Sequence, residues 1–146
     1  MSEFIGARNP LLGPAVQPQQ QPHNAGPDMS NLQAAVRDMS LTPQERFLYQ
    51  THLDNLYGPG KVVHPDGGIS TLYQMSFDRD GRTYNVPTVW GGAIVPPREA
   101  IQRAEALGLD RFPSYGSGDE AERRYQAMHG YMDRDTAAYR NRGGVR

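Results

Sequence analysis

The sequence contains no cysteine among its 146 residues. Disulfide bonds and thiolate metal sites are therefore excluded, and cysteine usage gives no indication of the redox compartment. No apolar run approaches the ~18 residues that a membrane-spanning helix requires, and the first residues lack the apolar segment of a signal peptide. We therefore expect a soluble protein with no membrane span that does not follow the usual secretory route.

Neither sign of charge dominates, since the formal net charge at pH 7 is -1. This balance disfavours nucleic acid as the main ligand, because general phosphate binding relies on a basic surplus. Apolar residues make up only 37% of the chain, so we expect a smaller core than the length suggests. The length accommodates one domain of ordinary size with an appendage.

The first 29 residues have the composition of an extended, disordered arm, rich in proline and glutamine. Such a segment buries too little apolar surface to offset its ordering entropy. Two apolar pairs interrupt it, Phe4-Ile5 and Leu11-Leu12. They are either incidental features of a tail or anchors that dock into pockets on a partner as the arm folds.

The clearest structural pattern is a β-hairpin over residues 69–90. Alternating residues on each side of Asp78-Arg79-Asp80-Gly81, Tyr73 among them, predict two strands with one face toward the core. A two-residue loop at Asp80-Gly81 would set Arg79 opposite Arg82, and this like-charge pair favours a four-residue loop. Pro87 lacks a backbone donor, which indicates that the second strand is an edge at that point or that its N–H side faces away from the first strand. The segment 93–95 is expected to add a third strand.

Helices are predicted on both sides of this hairpin. Capping-box patterns begin at Ser30, Thr42 and Ser117, and Pro43 occupies a favoured first helical position. Helical spacing of apolar residues follows each cap, and a further helix runs from Pro97 to Gly108, with Leu107 on its apolar face.

The predicted fold class is α+β, a small antiparallel hairpin or three-stranded sheet with helices packed on one face. We divide the chain into an arm (1–29), a short helix and linker (30–41), the α+β module (42–135) and a basic, fraying tail (136–146).

Patterns that carry chemistry are weak, and we predict no catalytic residue, no cofactor and no metal. Asp78, Asp80 and Gly81 resemble the start of a calcium loop, but the later ligands are missing, so we interpret them as turn formers. A zinc site assembled from three histidines (His52, His64 and His129) has no supporting spacing. Ser117 lacks a nucleophile motif and is better explained as a helix cap, and nothing indicates that the loop acids converge (Asp66, Glu99 and Asp119).

Aromatic residues concentrate in the hairpin and the helices that follow. We expect Phe77, Tyr84 and Tyr125 to lie in the core. Trp90 ends a strand and Tyr115 lies in a loop, positions where aromatic side chains often anchor a partner. The two are predicted to meet at the far end of the hairpin, and with the pairs in the arm they form the candidate partner-binding set.

The hairpin residues also carry a family resemblance. The motifs are Asp66-Gly67-Gly68-Ile69-Ser70-Thr71, Met75-Ser76-Phe77, Asp80-Gly81-Arg82, Val86-Pro87-Thr88-Val89 and Glu99-Ala100-Ile101, followed by Tyr125 and His129. Over residues 42–135 this pattern resembles a small virion-associated or accessory module of tailed bacteriophages, often found beside or within structural and ejection proteins. Pro96-Pro97 departs from the polar helix cap of that family, which puts the start of the helix in doubt. The resemblance implies a phage context and no established reaction.

Three functions remain open. The first is a non-enzymatic virion structural protein that binds other phage proteins (capsid, neck or tail) in a multi-copy assembly, made in the host cytoplasm and located in the virion. The second is an accessory protein that binds a host factor. The third is a small cell-wall-acting enzyme used in entry, which would require Asp66, Glu99 or His129 to open into a cleft.

Overall fold

A computed structural model of the chain describes residues 27–142. Within these residues it has four α-helices and seven short β-strands, which confirms the α+β class. The helices are α1 (Ser30–Met39), α2 (Pro43–Tyr57), α3 (Pro97–Leu107) and α4 (Gly118–Asn141). The strands are β1 (Val62–Val63), β2 (Ile69–Ser70), β3 (Met75–Arg79), β4 (Arg82–Val86), β5 (Val89–Trp90), β6 (Ala93–Ile94) and β7 (Ser114–Tyr115).

The central hairpin, β3–β4, closes with the two-residue loop Asp80-Gly81, so the expected four-residue loop is wrong. Both loop residues have positive φ angles, +53° and +79°, as a type I′ turn requires. Arg79 does lie opposite Arg82. However, Arg79 forms an ion pair with Glu105 at 2.5 Å and Arg82 donates to the Ser114 carbonyl at 2.7 Å. Because each guanidinium has its own acceptor, the like-charge cost is offset.

The third strand of the main sheet is β7, in the order β3-β4-β7, and not the predicted segment at 93–95. That segment contains β6, which pairs with β5 in a separate two-stranded sheet. β4 is central at Thr83 and Tyr84, where it pairs with both β3 and β7. At Val86, next to Pro87, the described residues pair it with β3 alone, although Asn85 and Val86 are both buried. Pro87 is tolerated because it follows the last residue of β4.

The first predicted strand is interrupted. β2 pairs with β1 and ends at Ser70, and four residues separate it from the start of β3 at Met75. Between them Tyr73 adopts a left-handed backbone conformation, with φ +45°. The alternation of apolar residues therefore does not continue through the segment 71–74.

The capping box that begins α2 is confirmed, since Thr42 and Glu45 each accept the other's backbone N–H. At α1 the predicted cap is wrong. The Asp28 side chain, and not the Ser30 hydroxyl, accepts a hydrogen bond at this end, from the Ser30 N–H at 2.9 Å. Ala35 of α1 is fully buried in the main core, so the segment 30–41 packs as part of the folded unit and not as a linker.

The two C-terminal helices also differ from expectation in detail. α3 begins at Pro97, after an extended Pro96, but Leu107 is 48% exposed. α4 buries Met128 and Met132 as predicted, and continues to Asn141 rather than fraying after residue 135. Its last turns are supported by edge-to-face packing of the Tyr139 ring on the Tyr57 ring, with the ring centroids 5.3 Å apart. Within residues 27–142, no helix has the length and apolar character needed to cross a bilayer.

Candidate functional site

Glu45 forms a buried polar tie between three elements. Its carboxylate, at 0% exposure, accepts hydrogen bonds from the Arg124 guanidinium (2.7 and 2.9 Å), the Tyr115 hydroxyl (2.6 Å) and the Thr42 N–H (3.0 Å). Burial by itself would raise the pKa of this carboxyl, but the hydrogen bonds from Arg124, Tyr115 and Thr42 outweigh it and hold the pKa below its usual value. The group therefore joins α2, α4 and β7 as a carboxylate at neutral pH.

Asp135 forms a second tie, between α1, α2 and α4. Its carboxylate accepts from the Tyr49 hydroxyl at 2.5 Å and from the Asn31 amide at 2.9 Å. Burial, followed by the hydrogen bond to Asp135, raises the pKa of the Tyr49 phenol. His52 Nε2 lies 3.3 Å from the same carboxylate without forming a hydrogen bond to it, and has no hydrogen-bond partner among the described residues.

A small groove opens between the segment 69–74 and α4, and it is the candidate functional site. The buried His52 ring lies at its edge, held by a 2.6 Å hydrogen bond between Nδ1 and the Thr71 hydroxyl. The cavity has a volume of about 100 Å³. It is lined by two short runs of chain together with His52: Ile69, Ser70, Thr71, Leu72, Tyr73 and Gln74 on one side, and Tyr125, His129, Met132, Asp133 and Thr136 on the other.

Tyr73 is the unusual residue of this groove. The residue is 64% exposed, yet its left-handed backbone costs a non-glycine residue on the order of 1 kcal/mol. Neighbouring groups hold that backbone in place. The Leu72 carbonyl accepts from the N–H groups of Thr88 and Val89, and the Tyr73 carbonyl accepts from the Thr88 hydroxyl at 2.6 Å. The strain is therefore fixed by the hairpin, and the ring is directed outward.

The opposite wall carries one acidic side chain, Asp133. Tyr125 stacks on His129 with ring centroids 5.5 Å apart, and His129 Nε2 lies 3.3 Å from the Asp133 carboxylate. Burial, and after it the negative charges of Glu122 and Asp133, raise the pKa of the Tyr125 phenol. Two tyrosine rings, the His129 ring and an exposed carboxylate thus share one small groove.

A larger and more open cavity lies beside the Glu45 tie, with a volume of about 520 Å³. Its two cationic side chains already have acceptors, because Arg124 binds Glu45 and Arg82 binds Ser114. Since both guanidinium groups are used to join elements, this cavity has a weaker claim to be a binding site.

The structure does not bring the predicted anchors together. Phe4, Ile5, Leu11 and Leu12 lie outside the described residues. Tyr115 pairs with Thr83 near the start of β4, whereas Trp90 follows the other end of β4 and pairs with Ala93. Their expected meeting is wrong, because β7 joins the sheet at the turn end of the hairpin.

Of these two aromatic residues, Tyr115 is only 6% exposed and its hydroxyl is bound to Glu45. That burial leaves little of the ring for a partner. Trp90 packs partly against the core, and its indole N–H donates to the Pro87 carbonyl at 2.8 Å.

The acids and the histidine weighed for catalysis have separate local roles. Asp66 accepts from the Gly68 N–H, Glu99 pairs with Arg103 at 2.7 Å, and His129 faces Asp133. Ser117 caps α4 by accepting from the Glu120 N–H. Across residues 27–142 there is no cluster of three or more acidic or histidine side chains arranged to hold a metal ion.

Sequence reasoning missed Tyr73 and Asp135 as notable residues. Alternation assigned Tyr73 to the inward face of a strand, and no residue type near it signals the positive φ. Asp135 had a usable signal, because it continues the buried stripe of Met128 and Met132 at helical spacing. A carboxylate at such a position requires buried donors, which Tyr49 and Asn31 provide.

In comparisons with protein-family models, curated protein sequences and solved structures, the chain matches none of them. The interpretation of the groove therefore rests on its own residues.

Proposed function

We propose that the chain is a non-enzymatic structural protein of a tailed-bacteriophage virion, in which the folded unit and the arm at 1–29 bind neighbouring capsid, neck or tail proteins. The observation that carries this proposal is Tyr73. Its ring is exposed beside a groove although its backbone is strained, and a solvent-facing ring gains little in the isolated fold from such strain. Strain of this kind supports a role in contact with another molecule.

The resemblance to the phage module supports the virion context, and the fold connects that resemblance to Tyr73. Thr88 and Val89 belong to the motif Val86-Pro87-Thr88-Val89, and their N–H groups bind the Leu72 carbonyl. The Thr88 hydroxyl binds the Tyr73 carbonyl. Two of the residues that carry the resemblance thus hold Tyr73 in place, which supports a use of this surface in the virion context.

The buried ionisable groups support a binding role over an enzymatic one. Glu45 and Asp135 are each enclosed by donors from several elements, so their charges stabilise the packing. Asp66, Glu99 and His129, on which an entry enzyme would depend, are exposed or locally paired and do not converge on one cleft. We therefore favour a protein that acts by contact.

Quantitative mass spectrometry of gradient-purified particles tests this function. We expect the chain at a fixed copy number per particle that survives repeated gradients and salt washes. Absence from particles, with the protein recovered only from the infected-cell lysate, would contradict the virion assignment and favour an accessory protein that binds a host factor.

A further inference from the structure

The groove beside Tyr73 has the size of a side-chain site. Its volume of about 100 Å³ is about three times the volume of a water molecule in the liquid. Pockets for cofactors and drug-sized ligands commonly occupy about 300–1,000 Å³. The occupant that fits is therefore a single side chain presented by another polypeptide.

The charge in and around the groove favours a cation. Asp133 contributes a carboxylate that is 66% exposed and lies 3.3 Å from His129 Nε2. No lysine or arginine is among the described residues that line the groove. The neighbouring Arg134 places its guanidinium over the Tyr131 ring, 4.8 Å from the centroid, and so has a contact of its own outside the groove.

The aromatic residues favour arginine over lysine. A planar guanidinium stacks on a tyrosine ring and donates two parallel hydrogen bonds to a carboxylate, whereas an ammonium does neither. Tyr73 offers an exposed ring, and Tyr125 lines the same groove with its ring stacked on His129.

We propose that this groove, formed by Tyr73, Tyr125 and Asp133, binds an arginine side chain of a neighbouring protein. The guanidinium stacks on the Tyr73 ring and forms a hydrogen-bonded ion pair with Asp133. This inference rests on the proposed function and specifies the chemistry of the partner that the folded unit contacts.

Titration of the ¹⁵N-labelled full chain with acetyl-Gly-Arg-Gly-amide, followed by NMR, tests the proposal. We expect saturable shifts centred on residues 70–74 and 125–136, with a dissociation constant on the order of millimolar for such a small probe. The matched peptide with citrulline in place of arginine keeps the planar shape and removes the charge, and it should produce no saturable shift. A peptide with lysine should bind at least about threefold more weakly.

Variants separate the two contacts. Asp133→Asn should weaken binding of the arginine peptide by about fivefold to tenfold, and Tyr73→Ala by about threefold to tenfold. Glu99→Gln, an exposed acid on α3 with its own arginine partner, is the control and should bind as the wild type does. Equal shifts with arginine and citrulline, equal affinity for arginine and lysine, or unchanged affinity in Asp133→Asn would overturn the proposal.

The titration can fail or succeed separately from the test of the virion assignment. A failed titration with the chain still present in particles removes only the arginine site. Saturable arginine binding with no protein in particles retains the site and removes the virion function.

Discussion

Two buried carboxylates organise the packing at the scale of single residues. Glu45 joins α2 to α4 and β7, while Asp135 joins α4 to α1 and α2. Hydrogen bonds to charged groups are directional and contribute about 1.5–3 kcal/mol each. Each carboxylate therefore sets the relative orientation of the elements that it joins and also stabilises their packing. The sparse apolar core makes such ties more important here than in an average domain.

Glu45→Gln should destabilise the fold by about 2–3 kcal/mol at neutral pH, because the amide cannot satisfy the Arg124 guanidinium. The pH dependence should also change. The folded-state pKa of Glu45 is depressed, so its contribution is complete above the ordinary value of 4.5 and is lost as the pH falls through the depressed pKa. Urea unfolding at several pH values between about 2 and 7 measures both effects.

In the urea unfolding series, Glu45→Gln should lose less stability on acidification than the wild type does. Glu99→Gln serves as the control, since its exposed ion pair with Arg103 should change stability by less than about 0.5 kcal/mol. If the unfolding free energies of wild type and Glu45→Gln fall by the same amount on acidification, the buried pair does not set the acid sensitivity.

Tyr73→Gly should leave the unfolding free energy within about 0.5 kcal/mol of wild type. Glycine removes the strain of the positive φ, which offsets the larger conformational entropy that it loses on folding. The exposed ring of Tyr73 contributes little packing. Tyr73→Val should cost about 1–2 kcal/mol, since a β-branched residue tolerates this φ poorly. Urea midpoints distinguish the two variants, and a loss above about 1.5 kcal/mol in Tyr73→Gly would indicate that the ring is structural.

At the scale of elements, local sequence rules worked where a short-range interaction decides the outcome. Thr42-Pro43-Gln44-Glu45 specifies the beginning of α2 because every partner in that cap lies within four residues. The hairpin turn was located correctly, but its loop length depended on Glu105 and Ser114. Those residues are distant in sequence, so the charge argument from Arg79 and Arg82 alone gave the wrong loop length.

Two glycines provide a matched test of backbone conformation. Gly81→Ala should destabilise by about 1–2 kcal/mol, because φ is +79° at this turn even though a Cβ would meet no neighbour. Gly130→Ala should stabilise by about 0.5–1 kcal/mol, since Gly130 lies inside α4 with open space around it. The melting temperature should fall in Gly81→Ala and rise in Gly130→Ala. A change of the same sign in both variants would contradict the assigned backbone geometry.

At the scale of the whole molecule, the folded unit extends beyond the expected 42–135 at both ends. α1 contributes the buried Ala35 and the Asn31 amide that binds Asp135, and α4 runs on to Asn141. Periodicity identified each helix, but it did not show which helices pack together. Their packing depends on contacts between residues far apart in sequence, such as Asn31 and Tyr49 with Asp135. The same limit concealed the groove, which forms between two segments that are far apart in sequence.

Truncation measures where the folded unit begins. Removal of residues 1–26 should leave the circular dichroism spectrum and melting temperature of the remainder nearly unchanged, because α1 and its Asp28 contact are retained. Removal of residues 1–41 should cause loss of cooperative unfolding, since Asp135 would lose Asn31 and the core would lose Ala35 and Leu41. Equal stability of the two truncations would show that α1 is dispensable.

The most direct test of the proposed virion role is the copy number of the chain per purified particle, measured by mass spectrometry for wild type, Tyr73→Gly with Asp133→Asn, and the Glu99→Gln control. We predict a fixed copy number for wild type and control, and at least a tenfold reduction for the groove variant with its melting temperature preserved. Absence of the wild-type chain from particles, or full incorporation of the groove variant, would contradict the account.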